Sequence, residues 1–491
     1  MNSITRPLSD DSILQLFNLT SDTVQSIDFE TKYNELHIDI TLSVKEHTCP
    51  VCSNITRKIK GYTRKKILHT VITHLPCYIN YKARRYQCTM CKKTFNEHNP
   101  FAYRNMKLSA LTVSNVLDDL KKANETFSTV ASRYRISTTT ACALFDSHVS
   151  ISRKLLPHHL LIDEVYAFKS YNSDYACVLV DALSMNTIDI LPSRKQLDLL
   201  SYFRQIPLEE RERVQTVGMD MWMTYRNVSK AIFPNAKCSV DKFHVFQDFY
   251  RRLDQLRVSI MNEIKPPHKW RDTLDKVKYH EYLKRDERYY LLKKFNWILM
   301  KNSRYTTKVD GIEYTLLDPN IPKRFNSKLN RYCNYLDLLE AMLDLCPELS
   351  EGYILKRKLE AFYEKSSSVD AKRKLEELID DMHISSIKSF REFSNTLRQW
   401  KQEIINSFEL VEKRIKVVSK DTGEITYETQ MIKINNALIE NRNRIIKQIK
   451  NNSSGYTNWE RFRNRVLYVL NPDATYRIYQ PEIDEKRSNS I

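Results

Sequence analysis

Long hydrophobic segments are missing from this 491-residue sequence. No apolar run approaches the roughly 18 residues that a membrane-spanning helix needs. The first residues, MNSITRPLSDDS, also lack the basic and apolar regions of a secretory signal peptide. These two absences predict a cytoplasmic protein that does not enter the membrane. At about 150 residues per domain, the length predicts about three domains and a sizeable buried core.

Acidic side chains are missing from residues 53–95, which contain eleven lysines and arginines and no Asp or Glu. Over the whole chain the formal net charge is +18. Such an excess predicts a polyanionic partner, of which nucleic acid is the first candidate. We therefore assign Arg84 and Arg85 to contacts with DNA phosphates, which bind strongly without reading the base sequence. The alternative is a basic face that serves solubility.

A regular disulfide spacing is missing as well, because four of the ten cysteines form two C-x-x-C pairs and the others are scattered. The pairs are Cys49 with Cys52 and Cys88 with Cys91. Two such pairs can surround one ion tetrahedrally, so we predict a structural zinc site in a β-rich ribbon, in a reducing compartment. Cys77, between the pairs, is expected to belong to the core. His47 and His69 are weaker candidates for zinc ligands.

Helical periodicity begins after the ribbon. Residues 108–120 and 126–134 predict two helices, and residues 135–137 predict a turn. Ser137 would cap a third helix with the sequence TTTACALFDSHV. Two short helices across a tight turn are typical of a helix-turn-helix motif, which contacts DNA with the start of its second helix. A helical linker is the alternative. The expected groove contacts are Thr138, Thr139 and Thr140.

Two apolar runs each end in an aspartate, with LLID ending at Asp163 and VQTVGMD ending at Asp220. Open α/β sheets build their ligand sites at the carboxyl ends of parallel strands. Carboxylates at such a place can hold magnesium, because this ion prefers oxygen ligands. The alternative is that each aspartate only caps the helix after its strand.

The segments around these two aspartates predict three strands, a helix, a strand, a helix and a strand. This is the element order of a ribonuclease H-like core, in which the first and fourth strands are parallel neighbours. Asp163 and Asp220 are then expected to face each other. Asp181 ends the second strand, which runs the opposite way, so it is expected at the far edge and outside the metal pocket.

A third carboxylate is needed for two-metal phosphoryl transfer, because two ions must be bridged by one acid and flanked by others. Residues 250–408 are charged and helical with no strand run, which predicts a helical insertion, and residues 414–420 and 424–430 predict a short hairpin. The following INNALIENRNRIIKQIK predicts a helix with an apolar side and a polar stripe that contains Glu440. Periodicity alone favours a solvated Glu440.

Taken together, these blocks resemble bacterial insertion-sequence transposases of the ISL3 family, which combine a zinc ribbon, a helix-turn-helix and a DDE nuclease core. The resemblance covers roughly residues 49–471 and rests on the order of the ribbon cysteines, LLIDE, VGMDMW, FPNA, DKFHV, IENRN and GYTNWERFRNRV. It implies that Asp163, Asp220 and Glu440 hold two divalent metals. It also implies that Asp241 and His244 orient this site; a helix N-cap with a core histidine is their alternative.

The resemblance also implies an activity. Magnesium or manganese would assist hydrolysis of a phosphodiester at the end of an insertion sequence, and the freed 3′ hydroxyl would attack target DNA. The ribbon and the helix-turn-helix would bind terminal inverted repeats, from a homodimer or higher oligomer, and Arg442 and Lys447 are assigned to DNA. One departure is Asn441, where members usually carry glycine. The main alternative is a zinc and helix-turn-helix DNA-binding regulator with an inert nuclease-like core, and a ribonuclease acting on hybrids is weaker.

The sequence as a whole therefore predicts a multidomain α+β protein, in which a ribonuclease H-like α/β core is interrupted by a large helical insertion. The predicted segments are an N-terminal segment with the zinc ribbon (1–100), the helix-turn-helix domain (101–155), the first part of the core (156–250), the helical insertion ending in a hairpin (251–430), the final part of the core with the third acid (431–475) and a C-terminal tail (476–491).

Overall fold

The computed structural model describes residues 20, 22–72, 74–102, 106–170, 173–272, 274–418, 425–434 and 437–477. The first 19 residues, on which the signal-peptide prediction rests, and residues 478–491 of the predicted tail lie outside the described residues. In the described part, no helix is both long enough and apolar enough to cross a membrane.

The N-terminal part forms a five-stranded sheet and a small hairpin. The sheet contains β1 (Val24–Lys32), β2 (Glu35–Leu42), β5 (Ile59–Ile72), β6 (Leu75–Gln87) and β7 (Thr94–Asn96), and the hairpin contains β3 (His47–Thr48) and β4 (Ile55–Thr56). The strand order is β1-β2-β6-β5, and β7 pairs with β6. Along β6, Cys77, Ile79 and Tyr81 are almost completely buried, which is the two-residue period of a strand with one face on a core. The prediction that Cys77 belongs to the core is thereby confirmed.

Three short helices follow, and each begins at a side-chain cap. They are α1 (Ala110–Asp119), α2 (Phe127–Arg133) and α3 (Thr138–His148). The side chains of Ser109, Thr126 and Ser137 each accept a hydrogen bond from a backbone N–H in the first turn of the helix that follows. Between α2 and α3, Arg135 has a positive φ of 55°, which turns the chain sharply. The three helices and the turn predicted from the sequence are confirmed.

The central sheet has five strands in the order β10-β9-β8-β11-β12. The strands are β8 (His159–Ser170), β9 (Ser173–Asp181), β10 (Thr187–Leu191), β11 (Thr216–Met219) and β12 (Lys237–Val240), and the helices between them are α4 (Gln196–Arg204), α5 (Leu208–Glu212) and α6 (Met223–Ile232). Strand β11 runs parallel to β8, as predicted, and it also runs parallel to β12. Asp181 pairs with Leu160 at the start of β8, so its predicted place at the far edge is also confirmed.

A long helical segment follows β12 and has a hydrophobic core of its own. Its helices are α7 (Lys242–Glu263), α8 (Lys276–Lys294), α9 (Asn296–Met300), α10 (Tyr335–Leu343), α11 (Pro347–Lys365), α12 (Ala371–His383), α13 (Lys388–Gln399) and α14 (Lys401–Asn406), with a short 3-10 helix at His268–Trp270. Inside it, Phe249 of α7 stacks on Phe390 of α13 with ring centroids 5.0 Å apart. The predicted helical character of this segment is confirmed.

Three hairpins interrupt or end the helical segment: β13 (Thr306–Val309) with β14 (Ile312–Thr315), β15 (Arg324–Asn326) with β16 (Arg331–Cys333), and β17 (Leu410–Val418) with β18 (Ile425–Lys433). The third was predicted, although residues 419–424 at its turn lie outside the described residues. The first two correct the expectation of no strands there. Asp310 and Gly311 both have positive φ, 52° and 85°, and Asp-Gly in this conformation closes a two-residue hairpin.

Two last helices, α15 (Ala437–Asn452) and α16 (Trp459–Leu470), return the chain to the central sheet. Leu160 and Ile162 of β8 belong to the core shared with α4 and α6, whereas Leu161 and Val165 belong to the core shared with α15 and α16. Side chains of a strand alternate between its two faces, so β8 is covered by helices on both sides. Arg465 of α16 also donates hydrogen bonds to backbone carbonyls of the α1–α2 connection, which fixes the three helices to the C-terminal end.

Candidate metal centres and nucleic-acid interface

Three carboxylates meet at the edge of the central sheet where β8 passes the end of β11. Asp163, Glu164 and Asp220 each place one oxygen within 4.8 Å of the others. The strand register brings them together. Ile162 of β8 pairs in parallel with Met219 of β11, and the residue that follows each of them is an aspartate. The two aspartates predicted to face each other are therefore brought together. Glu164 was not predicted to belong to this group, because the prediction considered only the aspartate that ends the apolar run.

Burial and like charge act together on Asp163, which is only 9% exposed. Burial, and then the negative charge of Asp220, raise the pKa of Asp163 to about 7. Its Oδ1 accepts a hydrogen bond from the Glu164 backbone N–H (2.7 Å), and its Oδ2 accepts one from Nδ2 of Asn443 (2.6 Å). Clustered carboxylate oxygens at this edge are the donor set that a hard cation such as Mg²⁺ or Mn²⁺ takes, so the residues present fit such an ion.

His244 and Asp241 take different places beside this cluster. His244 Nε2 lies 2.5 Å from Oδ1 of Asp220. Burial opposes the charged imidazolium, but the hydrogen bond to Asp220 and its negative charge raise the pKa of His244 above its ordinary value. Asp241 is the N-cap of α7, and its side chain accepts the Phe243 backbone N–H at 2.8 Å. Of the two predicted orienting groups, His244 contacts a carboxylate of the cluster, and Asp241 starts the helix that carries His244.

Glu164 is held by a cation. Oε1 of Glu164 accepts a hydrogen bond from Arg194 at 2.6 Å. The Arg194 guanidinium in turn lies over two aromatic rings, 3.9 Å from the centroid of Tyr175 and 4.9 Å from that of Trp222. Stacking on these two rings restricts the position of the Arg194 guanidinium. Arg194 therefore offsets the charge of Glu164 through one oxygen, while Oε2 is buried and has no hydrogen-bond partner among the described residues.

Glu440 lies in the first turn of α15 and is exposed. Among the residues that the structure describes, it does not belong to the three-carboxylate group. The residue of α15 that contacts Asp163 is Asn443, one helical turn later. Glu440 lies three residues before Asn443, a spacing that puts the two side chains on neighbouring parts of the helix surface.

The four predicted cysteines converge at one point. Cys49 and Cys52 lie in the β3–β4 turn, and Cys88 and Cys91 lie between β6 and β7. The Sγ atoms are 3.6 Å apart for Cys49 and Cys91, 3.4 Å for Cys52 and Cys88, and 3.5 Å for Cys52 and Cys91. Tetrahedral zinc with Zn–S distances of about 2.3 Å requires S–S distances of about 3.8 Å. The four thiols therefore fit a structural zinc ion.

The two histidines considered as alternative zinc ligands lie elsewhere. The ring of His47 packs against Tyr86 with centroids 4.4 Å apart. His69 is buried, and burial lowers its pKa to about 4. The described group of possible zinc ligands consists of the four cysteines alone.

Two of the arginines assigned to DNA serve the protein instead. Arg84 is 3% exposed, and its guanidinium donates to the Leu42 carbonyl and pairs with Glu97. Arg442 is half-buried and donates to the carbonyls of Met185 (2.6 Å) and Leu470 (3.2 Å). The prediction that these two side chains contact DNA is corrected, because their donors face protein oxygens. Consecutive strand residues face opposite sides, so of Arg84 and Arg85 only one can reach solvent.

Four of the five remaining predicted DNA contacts are open to solvent. Arg85 and Lys447 are exposed, and so are Thr138 and Thr139 at the start of α3. Thr140 is half-buried, and its backbone N–H donates to the capping hydroxyl of Ser137 at 3.0 Å. This threonine therefore takes part in the start of the helix.

Comparison with known proteins adds to this geometry. The sequence profile of the ISL3 family of DDE transposases matches residues 160–413, just over half of the chain. The profile of the zinc finger of the IS204/IS1001/IS1096/IS1165 transposases matches residues 45–91. The transposase for insertion sequence element IS1001 of Bordetella parapertussis is 30% identical over 108 residues, which are 22% of this chain and 26% of that protein. The match thus spans about a quarter of that relative's length.

The cysteine site predicts a metal dependence that can be measured without DNA. Cys88→Ser should remove the bound zinc, because three thiolates and a hydroxyl hold the ion poorly. The matched control is Cys346→Ser, which changes a thiol outside the cluster at the start of α11. Elemental analysis of the purified proteins should find one zinc per chain in the wild type and the control, and none in Cys88→Ser. Equal zinc in all three proteins would contradict the assignment.

Proposed function

Because the chain belongs to the ISL3 family of DDE transposases, an enzyme class, we propose that it cuts and joins DNA at the ends of an insertion sequence. In this proposal it binds the terminal inverted repeats and hydrolyses a phosphodiester at the end of the element, after which the freed 3′ hydroxyl attacks target DNA. The observation that carries the proposal is the close approach of Asp163 and Asp220. The strand order β10-β9-β8-β11-β12, with β8 and β11 parallel, supports a ribonuclease H-like core.

In the proposed mechanism, Asp163 and Asp220 hold magnesium or manganese at the carboxyl ends of β8 and β11. Such ions supply Lewis-acid activation of water and stabilise the charge that develops on the phosphate and on the leaving oxygen. The carboxylate of Asp220 is held by His244, which fixes its orientation. The carboxylate of Asp163 is held by two N–H donors. Fixed carboxylates place the phosphodiester and the attacking oxygen without reorganisation during the reaction.

Glu440 is proposed as the third metal ligand. Support comes from its place on α15, one turn before the residue that contacts Asp163, and from its exposure. Glu164 is closer to the two aspartates, but Arg194 occupies one of its oxygens. A carboxylate neutralised by a guanidinium gives less stabilisation to a metal ion than a carboxylate without such a partner.

DNA binding is proposed for the basic ribbon and for a helix-turn-helix formed by α2 and α3. Thr138 and Thr139 lie at the exposed start of the second helix of the motif, and Arg85 and Lys447 supply exposed cations. Asp146 of α3 is held by Arg461 of α16 through contacts of 2.6 to 3.2 Å. This ion pair would keep the recognition helix in a fixed relation to the nuclease core. Pairing of two element ends in a homodimer or higher oligomer is part of the same proposal.

The domain organisation is proposed to follow the predicted segments. The ribbon segment (1–100) and the helix-turn-helix (101–155) precede the first part of the core (156–250). Most buried residues of the insertion (251–430) belong to one hydrophobic core, and residues 431–475 return to the sheet. This core also takes in Val240, Val245 and Phe249, so the insertion is proposed as a unit that is joined to the sheet through β12 and α7.

The paired aspartates can be tested in a cleavage assay. Asp163→Asn and Asp220→Asn should each lower metal-dependent cleavage at least about a thousandfold, because a bound ion contributes several kcal/mol to such transition states. Binding to the same DNA should be unchanged. The substrate is a labelled duplex that carries the inverted repeats flanking the gene, with binding followed by gel mobility shift.

The matched control is Asp181→Asn, which alters an aspartate at the far edge of the same sheet. In the structure, Oδ1 of Asp181 accepts the Leu183 backbone N–H, and an asparagine can still accept it. The control should cleave at close to the wild-type rate. Wild-type cleavage by either site variant would contradict the proposed role. If the wild-type protein binds this DNA but does not cleave it, the result would favour the DNA-binding regulator with an inert core.

The choice of third ligand predicts a difference between two glutamates. Glu440→Gln should lower cleavage at least about a hundredfold, because a metal ligand is lost. Glu164→Gln should retain cleavage within about tenfold, because a glutamine oxygen can still accept the hydrogen bond from Arg194. Single-turnover rates on pre-cut and intact ends would measure both effects. The reverse pattern would assign the third ligand to Glu164.

A further inference from the structure

Among the described side chains of α15, Asn443 is the one that contacts a carboxylate of the acidic cluster. We propose that it is a positioning residue, which orients Asp163 for metal binding and sets the register of α15 on the sheet. This inference rests on the proposed function and deepens it. In this proposal, the same contact brings Glu440, on a helix more than 200 residues after Asp220, toward this edge of the sheet.

The amide group of Asn443 is fully engaged as a donor. It donates to Oδ2 of Asp163 at 2.6 Å and to the backbone carbonyl of Glu164 at 3.3 Å. One amide thus contacts both a side chain and the main chain of β8. Since Oδ1 of Asp163 accepts the Glu164 backbone N–H, both oxygens of this carboxylate are held in place. A ligand oriented in this way binds a metal without first losing rotational freedom.

The position of Asn443 on the helix makes a polar residue unexpected. Ile439 and Ile446 lie four residues before it and three residues after it, and both are completely buried against β8. Asn443 occupies the place on this apolar face where a leucine would pack, and it is only 6% exposed. A buried amide is unfavourable unless it makes hydrogen bonds, so packing alone does not account for it. The hydrogen bonds to Asp163 and Glu164 account for the buried amide.

The amide oxygen supplies a second observation. Within the described residues, Oδ1 of Asn443 is buried and has no hydrogen-bond donor. Buried polar atoms nearly always have a partner. Beside the carboxylate of Asp163, an amide oxygen adds to the oxygen-rich surroundings that magnesium and manganese favour. The orphaned oxygen therefore indicates that the residue serves the metal site more than the stability of the helix.

The register of α15 follows from the same contact. A helix that packs through isoleucines alone can slide or rotate by one turn with modest loss, whereas a hydrogen bond to one carboxylate specifies a single register. With Asn443 on Asp163, Glu440 lies one turn nearer the start of the helix, at the exposed border of the face that packs on β8. Asn443 thereby positions both the first and the third proposed ligand.

The test separates orientation from packing. Asn443→Leu keeps the branched shape and the number of side-chain heavy atoms and completes the apolar face, so thermal stability should be equal to or above that of the wild type. Its affinity for Mn²⁺, measured on the full-length zinc-loaded protein by electron paramagnetic resonance, should fall about 10- to 100-fold, as for other groups that orient metal ligands. Cleavage should fall at low Mn²⁺ and recover in part at high Mn²⁺.

Two further variants keep the outcome clear. Asn443→Ala should show the same loss of Mn²⁺ affinity. It tests the inference independently if the leucine variant does not fold. Asn451→Ala changes an exposed asparagine of the same helix and should leave Mn²⁺ affinity unchanged. Wild-type Mn²⁺ affinity in both Asn443 variants would overturn the inference, provided that Asp163→Asn has lost Mn²⁺ binding. If Asp163→Asn also binds Mn²⁺ normally, the proposed metal site itself fails.

Discussion

The parallel pairing of β8 with β11 is the constraint on which the rest of the candidate site depends. It places Asp163 beside Asp220 at one sheet edge, where burial and mutual repulsion raise the pKa of Asp163 to about 7. Two acids in such a place destabilise the folded protein unless a cation or hydrogen-bond donors offset their charge. The surroundings supply donors, since His244 lies on one aspartate and Asn443 on the other. The arrangement of this site therefore favours binding of a cation.

The rest of the chain packs on this sheet through two hydrophobic cores. The helical segment after β12 packs around aromatic residues such as Phe249 and Phe390, and its core extends to Val240 of β12. Helices α15 and α16 then return to the other face of β8. From there, α16 also contacts the three helices of the N-terminal half through Arg465. Parts that are distant in sequence thus converge on one strand.

Much of this arrangement was predictable, because it depends on local patterns. Apolar runs ending in aspartate and the order of strands and helices were enough to predict the Asp163–Asp220 pair, and C-x-x-C spacing was enough for the zinc ligands. Contacts between distant segments were not predictable in this way. Arg84 was assigned to DNA because its burial against Glu97 depends on which strand face is covered. The place of Glu440 depends on the register of α15, which no local pattern encodes.

The most direct measurement is anomalous diffraction from crystals of the full-length protein soaked in Mn²⁺, recorded at the manganese edge and at the zinc edge. The zinc signal between the four cysteines serves as an internal control for metal loading and phasing. The account predicts a manganese peak bounded by the carboxylates of Asp163 and Asp220. Crystals that show the zinc peak but no manganese between these two aspartates would contradict it.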